Sequence, residues 1–142
     1  MMTSRRHLMS KPIDLIIDEY VSPVSVTGTK NMKLSEVTSL MREGGFRHLP
    51  ILEDKKPIGI ISDRDISLLD SLDDLNDLTV EEVMVKNPYC AYSGTSIAEV
   101  AFEMSSRKIG SALILNEDGE LDGIFTSIDG LNALIEIVRG DL

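Results

Sequence analysis

The chain has 142 residues, 24 acidic against 14 basic side chains, a formal net charge of −10 and 42% apolar content. The size suffices for one compact domain or two interlocked halves, whereas the negative balance excludes general nucleic-acid binding, which needs a basic face to replace phosphate counterions. No apolar run approaches the about 20 residues that cross a bilayer, a single Cys90 excludes an internal disulfide, and two His with one Cys offer no zinc ligand set.

Met1 to Ser10 carries Arg5, Arg6 and His7 with no apolar stretch after them, so residues 1–12 read as a loose tail and not a signal peptide. A cytoplasmic protein is expected. Next come a short helix and, after Pro23, a strand over Ser25 to Thr27. Leu34, Val37 and Met41 then fall on one helical stripe. His48-Leu49-Pro50-Ile51-Leu52 has strand length, Glu53 to Lys56 makes a turn without Gly, and Gly59-Ile60-Ile61 leads into a closing helix. The acidic stretch from Asp65 to Asp77 reads as a solvated helix face and linker, the linker itself at 71–78.

The second half repeats this order. Thr79 with Glu82 and Ser96 with Glu99 are capping boxes, in which side chains satisfy orphan backbone N–H groups. Lys33 stands where Ser96 does, so the first half lacks that cap. Lys86-Asn87-Pro88-Tyr89 matches Val21-Ser22-Pro23-Val24, and on that match the first half holds two extra residues within Thr27 to Met32. Cys90 lies in the strand that follows, as a small apolar residue. Ile97, Val100 and Met104 repeat the helical stripe, Ser111 to Leu115 the apolar strand, and Asn116-Glu117-Asp118-Gly119 supplies a proper hairpin turn.

The strongest echo pairs Gly59-Ile60-Ile61-Ser62-Asp63-Arg64-Asp65 with Gly123-Ile124-Phe125-Thr126-Ser127-Ile128-Asp129. Halves of about 60 residues are marginal alone and are expected to pack on each other. The hydroxyl-x-x-Asp pattern reads first as a pair of helix caps. Each copy also follows a Gly-containing strand and opens a helix, where backbone N–H groups and the positive dipole end converge on a place for an anion. Gly59 and Gly123 leave room for a ligand to approach, and each Asp can accept hydrogen bonds from a ribose diol. No Ser/His/Asp set, phosphate-binding G-x-x-x-x-G-K loop or G-x-G-x-x-G is present, so no catalysis is expected.

This ordered set, appearing twice between about Ile13 and Val138, resembles a tandem pair of cystathionine-β-synthase (CBS) domains, the Bateman module, here free-standing. The resemblance implies an α+β fold of two pseudo-symmetric β-α-β-β-α repeats, 13–70 and 79–138, packed sheet to sheet around two clefts for adenosine-containing ligands. One cleft would join Ser62, Arg64 and Asp65 to the Cys90 to Tyr92 strand with Ala91, and to Gly110 to Ala112. The other would join Thr126 and Asp129 to Val26 and to Arg47, His48 and Pro50. Arg47 and His48 favour this second cleft for a phosphorylated ligand, while Arg64 offers the same to the first. The implied function is regulatory sensing of AMP, ADP or ATP. The signal would pass to an unidentified protein target or through a homodimer built on Ile66, Leu69, Leu131, Ile135 and Val138. The alternatives are a structural dimerisation module with empty clefts, a sensor of S-adenosylmethionine, NAD or a cyclic dinucleotide, and a subunit whose catalytic partner is a separate chain.

Overall fold

The computed structural model describes residues 15–69 and 77–140. The predicted tail at 1–12 lies outside them, as does the predicted linker at 71–78 apart from Asp77 and Leu78. A 3-10 turn, Ile17–Glu19, precedes α1 (Leu34–Gly44), β1 (His48–Glu53), β2 (Lys56–Ser62) and α2 (Asp63–Ser67). The second half runs through α3 (Val80–Val83), β3 (Val85–Lys86), β4 (Cys90–Tyr92), α4 (Ile97–Arg107), β5 (Ser111–Leu115), β6 (Leu121–Thr126) and α5 (Ser127–Arg139). These form two three-stranded sheets ordered β1-β2-β3 and β4-β5-β6, the α+β architecture that the sequence predicts.

Strand alternation divides the apolar residues among three clusters. Leu49, Ile51 and Ile61 point to the stripe Leu34, Val37 and Met41 of α1, and Ala112, Ile114 and Phe125 point to Val100 and Met104 of α4. The intervening residues Ile60, Leu113 and Ile124 meet one another and close the two sheets together. Neither half therefore holds its apolar surface alone.

The halves also exchange their leading segments. Ile17 is fully buried in the second repeat's core, and Val80 is fully buried in the first. Backbone hydrogen bonds fix both exchanges: the N–H of Ile17 donates to Thr95 O at 2.8 Å and that of Ile97 to Leu15 O at 2.7 Å, while Val80 N–H donates to Met32 O at 2.8 Å and Leu34 N–H to Leu78 O at 3.1 Å. Further on, β3 pairs with β2 through Ile60 and Val85, and Ser22 bridges Ile124 of β6.

These contacts correct the alignment of the two halves. Leu15 with Leu78, Ile17 with Val80, Ser22 with Val85, Leu34 with Ile97 and His48 with Ser111 share one constant offset, and Pro23 and Pro88 do not fit it. No extra residues precede α1; the proline has moved within an equal span, because register is set by the bridging hydrogen bonds and not by the proline. The strand expected over Ser25 to Thr27 is reduced to an isolated parallel bridge between Gly28 and Ile51, where the second repeat has β4 parallel to β5.

The space over Gly59 and Gly123, expected to admit a ligand, is occupied by the exchanged segments. A Cβ on Gly123 would collide with Val21 Cγ1 and sit 3.0 Å from Ser22 O; one on Gly59 would meet Met84 and sit 3.1 Å from Val85 O. The hairpin turns differ as the sequence suggests. Asn116 Oδ1 accepts from the N–H groups of Asp118 and Glu120, with Gly119 at φ 79°, whereas Asp54 and Lys55 adopt φ 52° and 69° without Gly. Ser96 caps α4 by accepting from Glu99 N–H at 3.1 Å. At α1, only the return bond from Lys33 N–H to the Glu36 carboxylate remains, at 3.3 Å. Among the described residues no helix is long and apolar enough to cross a membrane.

Candidate functional site

Both hydroxyl-x-x-Asp motifs make the capping boxes read from the sequence. Asp65 Oδ2 accepts from Ser62 N–H at 2.9 Å and Ser62 Oγ accepts from Asp65 N–H at 3.2 Å. Asp129 Oδ2 accepts from Thr126 N–H at 2.9 Å and from Thr126 Oγ1–H at 3.2 Å. The second carboxylate oxygens differ: Asp129 Oδ1 accepts from Ser22 Oγ–H at 3.0 Å, a bond across the repeats. The residue equivalent to Ser22 at the other mouth is Val85, which has no donor. Among the described residues no other side chain bonds Asp65 Oδ1.

A cavity of about 650 Å³ opens at the Asp65 mouth. The first repeat lines it with Arg47, His48, Ile60, Ser62 and Asp63 to Asp65, and the second with Val85, Pro88, Tyr89, Ile109 to Ser111 and Leu113. Ser62, Arg64 and Asp65 thus stand opposite Gly110 and Ser111, the grouping expected of the first cleft. Arg47 and His48 line this same cavity, although the sequence reading set them beside Asp129. The cause is the hairpin register. His48 pairs with Ser62, and Asp63 N–H donates to Arg47 O at 2.9 Å, so the start of β1 lies against the helix mouth of its own repeat.

Ala91 and Ala112, expected in this cleft, do not line the cavity. Both are buried in the second repeat's core; of the residues expected at the Asp129 mouth, Val26 packs on the first core and Pro50 is fully buried between Leu49 and Ile51. Alternation places Ser111 and Leu113 toward the cleft and Ala112 away from it. Tyr89, two positions before Ala91, takes the lining position instead. It corresponds to Val26 once the offset replaces the prolines as guide, so aligning on Pro88 concealed it. The Arg107 guanidinium lies 4.7 Å from the Tyr89 ring centroid and donates to Glu103 at 2.9 Å, which holds the ring at the wall.

Electrostatically the mouth is mixed. Burial pushes the His48 imidazole below its ordinary value of 6.5, partly opposed by the Asp63 and Asp65 carboxylates and reinforced by Arg47. Burial also raises the Cys90 thiol, whose S–H donates to Pro88 O at 3.4 Å, and the side chain packs as a small apolar residue against the cluster of Ile60, Leu113 and Ile124. Elsewhere Asp18 accepts from Ser93 Oγ–H and, at 2.7 Å, from Gly94 N–H, bonds that hold its carboxyl below the usual range. Among the described residues no group of three or more His, Cys, Asp and Glu is placed to hold a metal ion.

On the outer helices, Leu131, Leu134, Ile135 and Val138 of α5 and Phe102 of α4 are exposed. Ile66 and Leu69, expected on the same kind of surface, face the first core instead. Their stripe is consumed by α1.

A family model described as CBS domain matches residues 6–70 and 80–136. The uncharacterised protein MJ1225 of Methanocaldococcus jannaschii is 27% identical over 128 residues, covering 82% of this chain and 46% of that protein. The chain spans less than half the length of the curated relatives it matches. Among solved structures, the CBS domain pair of protein MJ0100 in complex with 5′-methylthioadenosine and S-adenosyl-L-methionine matches with a TM-score of 0.76 at 24% identity, over 92% of this chain and all of that one. CBSX2 in complex with AMP matches with a TM-score of 0.74 at 22% identity, over 87% and 98% of the two chains.

Proposed function

The chain belongs to the CBS domain family as a tandem pair, and from that premise we propose that it is a regulatory module that binds an adenine nucleotide, AMP, ADP or ATP, in the Asp65 cleft. The observation that carries this reading is the cavity between the repeats, which brings Arg47, His48 and Arg64 around one helix mouth. Asp65 has an uncommitted oxygen for a ribose hydroxyl, Ile60, Ile109, Leu113 and Tyr89 offer apolar surface to a purine, and the basic side chains offset phosphate charge. Both solved CBS pairs named above hold adenosyl ligands, which supports the ligand class. The module acts by regulation and not by catalysis. A ligand bridging both walls favours the arrangement of repeats that binds it better, by no more than its differential affinity. The occupancy then passes to a partner protein or to a second copy seated on the exposed face of α4 and α5, in the cytosol.

Calorimetric titration with AMP, ADP and ATP, alongside S-adenosylmethionine and 5′-methylthioadenosine, tests this. Saturable binding of a phosphorylated member is expected. Binding of S-adenosylmethionine alone would transfer the site to a different ligand. Silence from all five favours the second reading, a structural module whose Asp65 and Asp129 serve only as the helix caps they already form.

A further inference from the structure

His48 occupies the one lining position where a proton can decide what the cleft accepts. Its neighbours Leu49 and Ile51 turn into the first core, so alternation sends the imidazole toward the cavity beside Ser62. Among the described residues, the charged groups around it come from Arg47 just ahead of β1 and from Asp63, Arg64 and Asp65 of α2. The opposing wall of the second repeat brings Tyr89, Ser111, Gly110 and Ile109, none of them charged at neutral pH. The equivalent residue of the second repeat, Ser111, stands on the opposing wall of this same cavity and does not titrate in this range.

We propose that His48 couples ligand choice to protonation, so that the cleft discriminates more strongly in favour of phosphorylated over unphosphorylated adenosine ligands as pH falls. The inference rests on the reading that this cavity takes an adenosine ligand. In the free protein partial burial favours the neutral imidazole, against the opposing pull of the two carboxylates. A phosphate entering beside Arg47 and Arg64 adds negative charge next to the ring and favours the imidazolium. Binding an anionic ligand therefore takes up a proton, and linkage requires the affinity to rise as that proton becomes available. Adenosine and 5′-methylthioadenosine bring no such charge and gain nothing. The sign for folding is opposite: with its value depressed in the folded state, His48 contributes stability that is complete above 6.5 and is lost as the pH falls below it.

Two measurements decide the matter. The chain has only two imidazoles, His7 and His48, and the proton-resonance signal that vanishes in His48→Gln identifies the second. Its titration midpoint in the parent should lie below 6.5 without ligand, move upward with saturating AMP, and stay in place with adenosine. In calorimetry, the ratio of parent to His48→Gln affinity for AMP should grow about threefold to tenfold between pH 7.5 and pH 5.5, tenfold corresponding to about one unit of midpoint shift. The phosphate of AMP itself titrates near pH 6, and taking the ratio cancels that contribution. Were AMP to bind while the midpoint stays fixed or the ratio stays flat, the coupling would be refuted and the nucleotide reading would stand. Were AMP not to bind at all, the nucleotide reading would fail and take the coupling with it.

Discussion

The two helix mouths are built from the same four-residue device and differ in what faces it. At Asp129, the exchanged segment of the first repeat brings Ser22, whose hydroxyl completes the carboxylate; at Asp65, the exchanged segment of the second repeat brings Val85, which leaves one oxygen open. Within the Asp65 cavity Arg47 and His48 bring charged or titratable groups, whereas the equivalent Gly110 and Ser111 on the opposing wall bring none. The duplicated halves thus differ at their helix mouths through a handful of positions, none of which disturbs the shared core stripes.

Substitutions that break the exchange are expected to have the largest effect. Ile17→Ala should cost about 3 kcal/mol, the usual loss for a fully buried aliphatic side chain, and the loss should register in the second repeat. Hydrogen exchange that showed protection falling mainly at Leu49 to Ile51 would contradict the described packing. Next, Asp65→Ala is predicted to weaken AMP binding about 10- to 100-fold, the range of a lost charge-assisted hydrogen bond. Asp129→Ala should alter the same affinity by less than about threefold, because its carboxylate is already engaged within the protein. Both remove the return half of a capping box and leave the N-cap hydroxyl in place, at a cost of about 1 kcal/mol or less. Equal losses of affinity, read by calorimetry, would erase the distinction between the mouths.

The crossing glycines sharpen the comparison at a smaller scale. Gly123→Ala must displace Val21, a stiff branched side chain, against a backbone carbonyl, whereas Gly59→Ala pushes mainly on the flexible Met84. Denaturant unfolding should place the first at about 2 kcal/mol and the second below about 1 kcal/mol. Opposite in sign, Lys55→Gly should stabilise by about 1 kcal/mol, since it relieves a left-handed backbone that the equivalent turn assigns to Gly119. An unchanged midpoint would show that Lys55 makes up that strain by other means.

Much of this was legible in the residues because periodicity reports burial directly. The stripes of α1 and α4, the caps at Ser62, Thr126 and Ser96, and the turn at Asn116 all follow from local rules. The exchange was not legible, since an apolar Ile17 or Val80 states that it is buried without stating against what. The same gap misplaced Ile66 and Leu69 on an outer surface. Anchoring on Pro23 and Pro88 shifted the leading segments by two positions, which hid Tyr89 and put Ala91 in its place. The charge of Arg47 and His48 is plain in the sequence, whereas their place on the Asp65 cavity follows only from the antiparallel pairing of His48 with Ser62.

Because Ile17 and Val80 each complete the opposite core, a cut anywhere within 70–76 yields two fragments that are each deprived of a plug and each carry the other's. Neither fragment should fold in isolation, yet mixing them should restore a single cooperative melt, so the molecule is a natural candidate for a split reporter.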